Sequence, residues 1–431
     1  MTQLSDNLPP VPVRDGCDVL EPSRRLDVSD SADVVVAGAG IAGVAAALAA
    51  ARAGASVLLL EDSFSPGGLA TVGMVPEYLP IDDGCGRKVI GGISEELLHL
   101  STANLPRELP EACFRRAPAV WLDKNATEEQ RRGVRFKTAY NPATYVLDLE
   151  ALLVREGVRI LYGTKVCAVI REGDALTHLV VENKSGRSAI AGRAFVDATG
   201  DADVCFLAGE PTVSNANNVP CGWFYTVRGD GSGLRIHHAS HRFAENPDDR
   251  DSAEGPFFRG DDACEVTAQI LASRDLIRGE LAADRAALPD DRRQPIHIAT
   301  IPCFRMTRRF AGAVALRRAD AHRPFPDAVC LAPDWRRPGP VWAIPWRCLA
   351  ATRTANLTVC GRCASWDESA WDAMRVIPVC AATGEACGLA SAMSTREGVS
   401  SARIEPTGIA AAMRKRGNII DEKLLAKEPA L

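Results

Sequence analysis

Several absences narrow the reading of this 431-residue chain before any motif is considered. The opening segment MTQLSDNLPPVPVRDG carries no apolar stretch of the kind that directs export, so a cytoplasmic protein is expected. There is no stripe of lysine and arginine, and the formal net charge is −5, which argues against nucleic acid as a partner. No run is suited to a membrane: residues 41–60 come nearest, but Arg52, Gly43 and Gly54 interrupt an alanine-rich stretch better read as buried α/β structure. Internal repeats are missing. The fourteen cysteines are scattered and, without an export signal, do not read as a disulfide framework. Cys360 and Cys363 form a lone CxxC with no second pair or HxxxH partner, so they read as small buried residues after the apolar run NLTVC. Histidine is scarce at seven residues. Three of these, His237, His238 and His241 in RIHHASHRF, have no acid nearby to complete a metal site. They are expected on an exposed helix, with His238 kept as a candidate acid or base. No metal is expected.

Residues 34–62, VVVAGAGIAGVAAALAAARAGASVLLLED, read as strand, glycine turn, helix, strand and acid. Gly38, Gly40 and Gly43 match GxGxxG directly after a valine run, and the helix begins at Ile41 and Ala42. Gly38 permits a sharp turn, Gly40 lets the backbone approach a pyrophosphate, and Gly43 lets helix and strand pack closely. The helix N-terminus offers free N–H groups and a positive dipole end to an anion. Glu61, followed by Asp62, stands eighteen residues past Gly43, where a carboxylate accepts from ribose hydroxyls and disfavours a 2′-phosphate. At this point NAD and FAD both remain open.

Three further signals follow in order: SPGGLATVGM with Gly67, Gly68, Leu69, Ala70 and Thr71; the strand TKVCAVI with Val166; and FVDATGDADV with Ala198, Thr199, Gly200 and Asp201. Near the C-terminus, NLTVCGRCASWDESAWDAMRVIPVCAATGEACGLASA brings Gly361 and Arg362, then Arg375 and Val376 at the head of a small-residue helix. From about Asp33 to Ser394 the chain resembles the FAD-dependent oxidoreductases related to the fumarate reductase flavoprotein and, more distantly, to glutathione reductase. The resemblance implies an α/β fold: a discontinuous, Rossmann-like FAD-binding domain with an inserted α+β substrate or cap domain. It implies that the second glycine turn runs beneath the pyrophosphate and flavin, that Val166 passes along the adenine, and that the helix near Arg375 points at the flavin pyrimidine. The flavoprotein's histidine after the second glycine pair is missing from GGLATVGM, so FAD is expected without a covalent bond. No second GxGxxG unit exists for NAD(P)H. Electrons are then expected from a small-molecule substrate or a transient partner.

The expected boundaries are 30–210 and 345–395 for the cofactor domain and 211–344 for the substrate or cap domain. Residues 1–29 form an extension, 101–139 a stretch able to cover the site, and 396–431 a polar tail. GDGSGLR at 229–235 imitates a glycine loop, but no strand is expected to lead into it, so it reads as a hairpin or surface loop. Arg305, Arg308 and Arg309 in TIPCFRMTRRFAG are the densest cationic group, and by resemblance their strand approaches the flavin; Arg308 is expected there, binding an anionic or carbonyl-bearing substrate. Arg347 is a second candidate of this kind, and Cys85 is a loop or core cysteine that could approach the ring. A thiazole-synthase-like protein holding an ADP adduct and a non-catalytic FAD-binding sensor are the competing readings.

Overall fold

The computed structural model describes residues 13–15, 18–21, 23–105, 113–243, 254–287, 289–290 and 293–426. Parts of two sequence expectations, residues 244–253 of the 211–344 domain and 106–112 of the 101–139 stretch, lie outside the described residues.

The core is a twisted sheet in which β1 (Val28–Ala37) is flanked by β2 (Val57–Leu60) and then β3 (Arg159–Leu161), all parallel. On the other side of β1 lies β6 (Gly186–Asp197), preceded by β4 (Lys165–Glu172) and β5 (Ala175–Asn183) in an antiparallel meander. β6 is long enough to change partner along its length. Its first half pairs β5, while Phe195–Asp197 pair a short parallel strand at Leu357–Val359. Val34–Val36 and all of β2 are buried, the signature of a parallel sheet covered on both faces.

Helix α1 (Ile41–Arg52) lies on this sheet against α5 (Ile377–Glu397), which is buried over most of its circumference. Their contact depends on missing side chains: a Cβ on Gly384 would lie 2.1 Å from the Ala42 carbonyl oxygen, and one on Gly388 2.1 Å from that of Ala46. GEACG is therefore a packing surface, and it holds the two helices backbone to backbone. Helices α2 (Gly92–Leu100) and α3 (Pro142–Arg155) complete this side.

Between these pieces the chain makes a smaller sheet, β8 (Arg235–Ser240)–β7 (Cys221–Val227)–β9 (Gln294–Ile298), covered by the 25-residue helix α4 (Ala263–Ala287). GDGSGLR turns between β7 and β8, as the hairpin reading expects. RIHHASH is a strand, which corrects the helix expected there. Alternation then sends His237 and His238 to opposite faces, and among the described residues no group of three His, Cys, Asp or Glu side chains could hold a metal. The antiparallel pair Ala328–Pro333 and Val341–Pro345 lies inside the stretch 211–344, yet it packs against α5 and the helix Pro406–Lys415 in the main core. That helix buries Ile409, Ala410 and Met413, giving the polar tail a packing role. Among the described residues no single helix is long and apolar enough to cross a membrane.

Candidate functional site

The parallel strands end together. Gly38 N–H donates to Leu60 O (2.8 Å), Ala198 N–H to Ala37 O (2.9 Å) and Cys360 N–H to Asp197 O (3.0 Å), so the residues after β1, β2, β6 and Leu357–Val359 form one rim. Ligands of such sheets bind outside these carboxyl ends. Here the rim opens on a cleft of about 960 Å3.

The first glycine turn forms its floor. Gly38 has φ +96°, and a Cβ there would lie 2.5 Å from Ala198 O; a Cβ on Gly43 would lie 1.8 Å from Gly38 O. Gly43 thus stands behind the cleft and seats α1 against the loop. Gly40 differs: a Cβ there meets nothing within 4 Å, although Gly40, Ile41 and Ala42 all line the cleft. The space beside Gly40 faces the free N–H groups at the start of α1, a cradle that fits a pyrophosphate and that a side chain would fill.

Glu61 lines the same cleft, and its two carboxylate oxygens accept from Ala39 N–H (2.7 Å) and Ser63 N–H (2.8 Å). It ties the first glycine loop to the chain leading into the second while keeping lone pairs for hydroxyl donors. The second turn meets the first directly, Gly67 N–H donating to Ala39 O at 2.7 Å. Gly67, Gly68, Leu69 and Ala70 line the cleft. Thr71 does not: it is buried, and its hydroxyl donates to Pro66 O (2.6 Å), shaping the turn from behind. Asp62, Val166, Cys167, Phe206 and Leu207 also line the cleft.

Ala198, Thr199, Gly200 and Asp201 form the wall beside the first glycine turn. Arg362 clamps this wall: Nε donates to Gly200 O (2.8 Å), Nη1 to Phe304 O (3.0 Å) and Nη2 to Asp201 Oδ1 (2.8 Å). Asp203, which the sequence reading passed over, also lines the cleft. Burial first, then Asp201 and Asp197, push its carboxyl up to about 6 against the pull of Arg308. Gly361, Arg375, Ile377 and Cys380 stand at the N-terminus of α5, so this helix, like α1, directs its positive end at the cleft. Val376 caps α5 but is buried outside the lining. Arg375 is held by Asp372 through Nε (3.1 Å) and Nη2 and lies over Trp371.

The three clustered arginines go to three places. Arg308 lines the cleft, but Nη2 bonds Asp203, Nε bonds Asp201 O (3.0 Å), and the guanidinium sits over Phe206. Phe206 belongs to the Asp203–Leu207 helix that packs on β4, the strand of Val166. Arg308 therefore lines the cleft beside this helix, with its guanidinium committed to Asp201 and Asp203. Arg305 lies just outside the lining, stacked on Phe243 at 4.4 Å, and its guanidinium has no hydrogen bond or ion pair among the described residues. Arg309 is half-buried, donating to Phe310 O (3.3 Å).

Arg347 and His238 are outside the cleft. Arg347 forms a surface pair with Asp327 at 2.9 and 3.0 Å; His238 packs against Trp223 and reaches the Cys221 Sγ at 3.4 Å. Cys85 is buried outside the lining, as is Cys363, whereas Cys360 lines it at the strand end. None of the described residues of 101–139 lines the cleft. The sequence reading also missed Pro302, Phe304 and the Gly260–Ala263 approach to α4, all in the lining. Pro302 and Phe304 lie within TIPCFRMTRRFAG, where only the arginines were singled out, and the Gly260–Ala263 approach had only a loop-like composition as its signal.

The family model "FAD dependent oxidoreductase" matches residues 33–227 and 261–415. No curated protein matches the sequence. Among solved structures, similarity extends to p-nitrophenol 4-monooxygenase from Pseudomonas putida DLL-E4 (12% identity, 90% of this chain and 85% of that one, TM-score 0.47). A geranylgeranyl bacteriochlorophyll reductase-like protein from Thermoplasma acidophilum is similar at 13% identity (92% and 90%, TM-score 0.41). The 3-ketosteroid-delta4-(5alpha)-dehydrogenase from Rhodococcus jostii RHA1 is similar at 14% identity (85% and 98%, TM-score 0.38). The family match covers most of the chain, and its cofactor suits a cleft built from two glycine turns, the Glu61 carboxylate and two helix N-termini: the chain belongs to the FAD-dependent oxidoreductases.

Proposed function

We propose that this enzyme holds FAD without a covalent bond and uses it to oxidise or reduce a small anionic or carbonyl-bearing metabolite beside Pro302, Phe304 and Arg375. The observation that carries the reading is the single cleft onto which the glycine rim and the N-termini of α1 and α5 both open. FAD, when bound, supplies hydride transfer, and the protein supplies orientation and charge. In this reading the N–H groups of α1 hold the pyrophosphate, Glu61 receives the ribose hydroxyls, and the positive end of α5 favours negative charge at the ring. The stretch GGLATVGM has no histidine to attach the ring, which supports a non-covalent cofactor.

Arg305 replaces Arg308 as the proposed substrate cation. Arg308 is committed to Asp203 and Asp201, whereas the Arg305 guanidinium is stacked on a ring and free to present its fork to a carboxylate. Acid precipitation of the yellow protein should leave all flavin in the supernatant; colour retained in the pellet refutes the non-covalent reading. Anaerobic addition of small acids and carbonyl compounds should bleach the flavin with one class. A protein that stays yellow with every compound is a sensor instead. With the substrate in hand, Arg305→Ala should raise KM by about ten- to a hundredfold at unchanged FAD content.

A further inference from the structure

Behind the wall formed by Pro302 and Phe304 lies a cluster that the cofactor does not need. Cys303 sits between those two lining residues and turns away from the cleft, and its Sγ is 3.9 Å from that of Cys221, the first residue of β7. His238, opposite on β8, places Nε2 3.4 Å from the Cys221 Sγ. Trp223 packs against the same imidazole, the rings tilted by 32° with centres 4.3 Å apart. The Cys221 N–H donates to Ser273 Oγ of α4 at 3.0 Å, so the thiol is anchored from a third element.

The electrostatics agree with the geometry. Burial pushes up the thiols of Cys330, Cys348 and Cys363. Cys221 goes the other way. Its hydrogen bond with Cys303 outweighs burial and, with His238 and the charge of Arg305, holds it well below the ordinary thiol range. Cys303 is pushed up by the same hydrogen bond and by burial. An acidified thiol beside a second thiol and an imidazole is the arrangement of a nucleophile, a resolving partner and a proton acceptor.

We propose that Cys221 and Cys303 are a peroxide-reactive thiol pair, with Cys221 the attacking sulfur, Cys303 the resolving sulfur and His238 the proton carrier. The Cys221 proton passes to His238, and the thiolate attacks one peroxide oxygen. The O–O bond breaks, leaving Cys221 as a sulfenic acid, and the departing hydroxide takes the proton from His238 as water. The Cys303 sulfur then attacks the sulfenic sulfur, and a second water leaves. Two thiols and one hydrogen peroxide thus become one disulfide and two waters. Closing from 3.9 Å to the roughly 2 Å of an S–S bond draws Cys303, and with it the Pro302–Phe304 wall, toward β7.

The test uses FAD-loaded protein in which the exposed Cys264 is replaced by serine, to remove background oxidation. After limited hydrogen peroxide, peptide mapping should show a Cys221–Cys303 disulfide that dithiothreitol reverses while flavin absorbance persists. In Cys303→Ser, dimedone should label Cys221; in Cys221→Ser, Cys303 should stay reduced. His238→Ala should slow oxidation by about a hundredfold. Both cysteines remaining reduced, a different disulfide, or dimedone labelling Cys303 in preference to Cys221 overturns the proposal. The parent mapping decides the matter even where a variant fails to fold.

Discussion

Helix α5 has 21 residues and buries 15 of them, whereas α4 has 25 and buries four, Gln269, Ser273, Ile277 and Leu281. The first is embedded in the cofactor region; the second lies across the β7–β9 sheet with a single stripe at four-residue spacing. Beneath α4 the buried cluster is Phe224, Ala239, Ile277 and Leu281, while the cofactor region shares one large continuous core. Burial on this scale sets how each region responds to change. The cofactor region transmits a small steric insult through the whole sheet, and the middle sheet has little apolar area with which to resist local opening. A densely packed region stands beside one with a small core of its own.

Gly388→Val attacks the densely packed region at a tight contact and should have the largest effect. The side chain would enter the Ala46 carbonyl, and overpacking of this kind costs at least about 3 kcal/mol, so soluble folded protein should be lost. Thermal melting of any soluble fraction checks it; a near-parental Tm would show that the two helices can separate. Gly40→Val stands two residues before Ala42 in the same region and should behave oppositely. Its φ of −59° suits a side chain and its Cβ meets no protein atom, so the fold should survive and FAD binding weaken by a hundredfold or more, on the order of 3 kcal/mol. Circular dichroism and flavin content separate the two outcomes.

Glu385 sharpens the comparison through pH. It is fully buried on α5, accepts from Ile93 N–H at 2.9 Å and lies beside Asn418; burial pushes its carboxyl from 4.5 up to about 7. A raised folded-state value means that the native state binds the proton more tightly than the unfolded chain. This destabilisation is absent below about pH 4.5, grows as pH rises toward 7, and reaches up to about 3 kcal/mol above it. Glu385→Gln should therefore be more stable than the parent at pH 8 and nearly equal to it at pH 4.5, by denaturant melts. An equal gain at both pH values would remove titration as the cause. Ile277→Ala, in the small core, should cost about 2 kcal/mol. Hydrogen exchange should show that loss in β7, β8 and α4 with the amides of β1 and β2 unchanged. Loss spread evenly over both regions would erase the distinction.

The same contrast explains what could be read from the sequence. The unit from Val34 to Glu61 was legible because its strand, turn, helix and acid are local and each residue has one job. The small-residue character of GEACG was equally plain. RIHHASH was misassigned because three histidines on either side of one alanine show neither period clearly, and pairing with β7 decided the matter. The Ala328–Pro345 hairpin was grouped with the middle because nothing in its own residues reveals that α5 lies beneath it. Arg305, Arg308 and Arg309 looked like one cluster, yet the backbone separates their side chains toward Phe243, Phe206 and Phe310. Glu61 was read as a ribose acceptor, but its hold on Ala39 and Ser63 depends on how two turns meet in space.

Gly384 and Gly388 lie some three hundred and forty residues after Ala42 and Ala46, and the four positions together act as a ruler. Two helices that touch through bare backbone cannot slide or part without losing the fit. The gap between their N-termini is therefore set by the absence of two methyl groups, in a seam that starts at the cleft with Ala42 and runs inward to Ala46. A lineage that needed to receive a longer or shorter ligand would have to rewrite that hidden seam before altering any residue on the cleft wall.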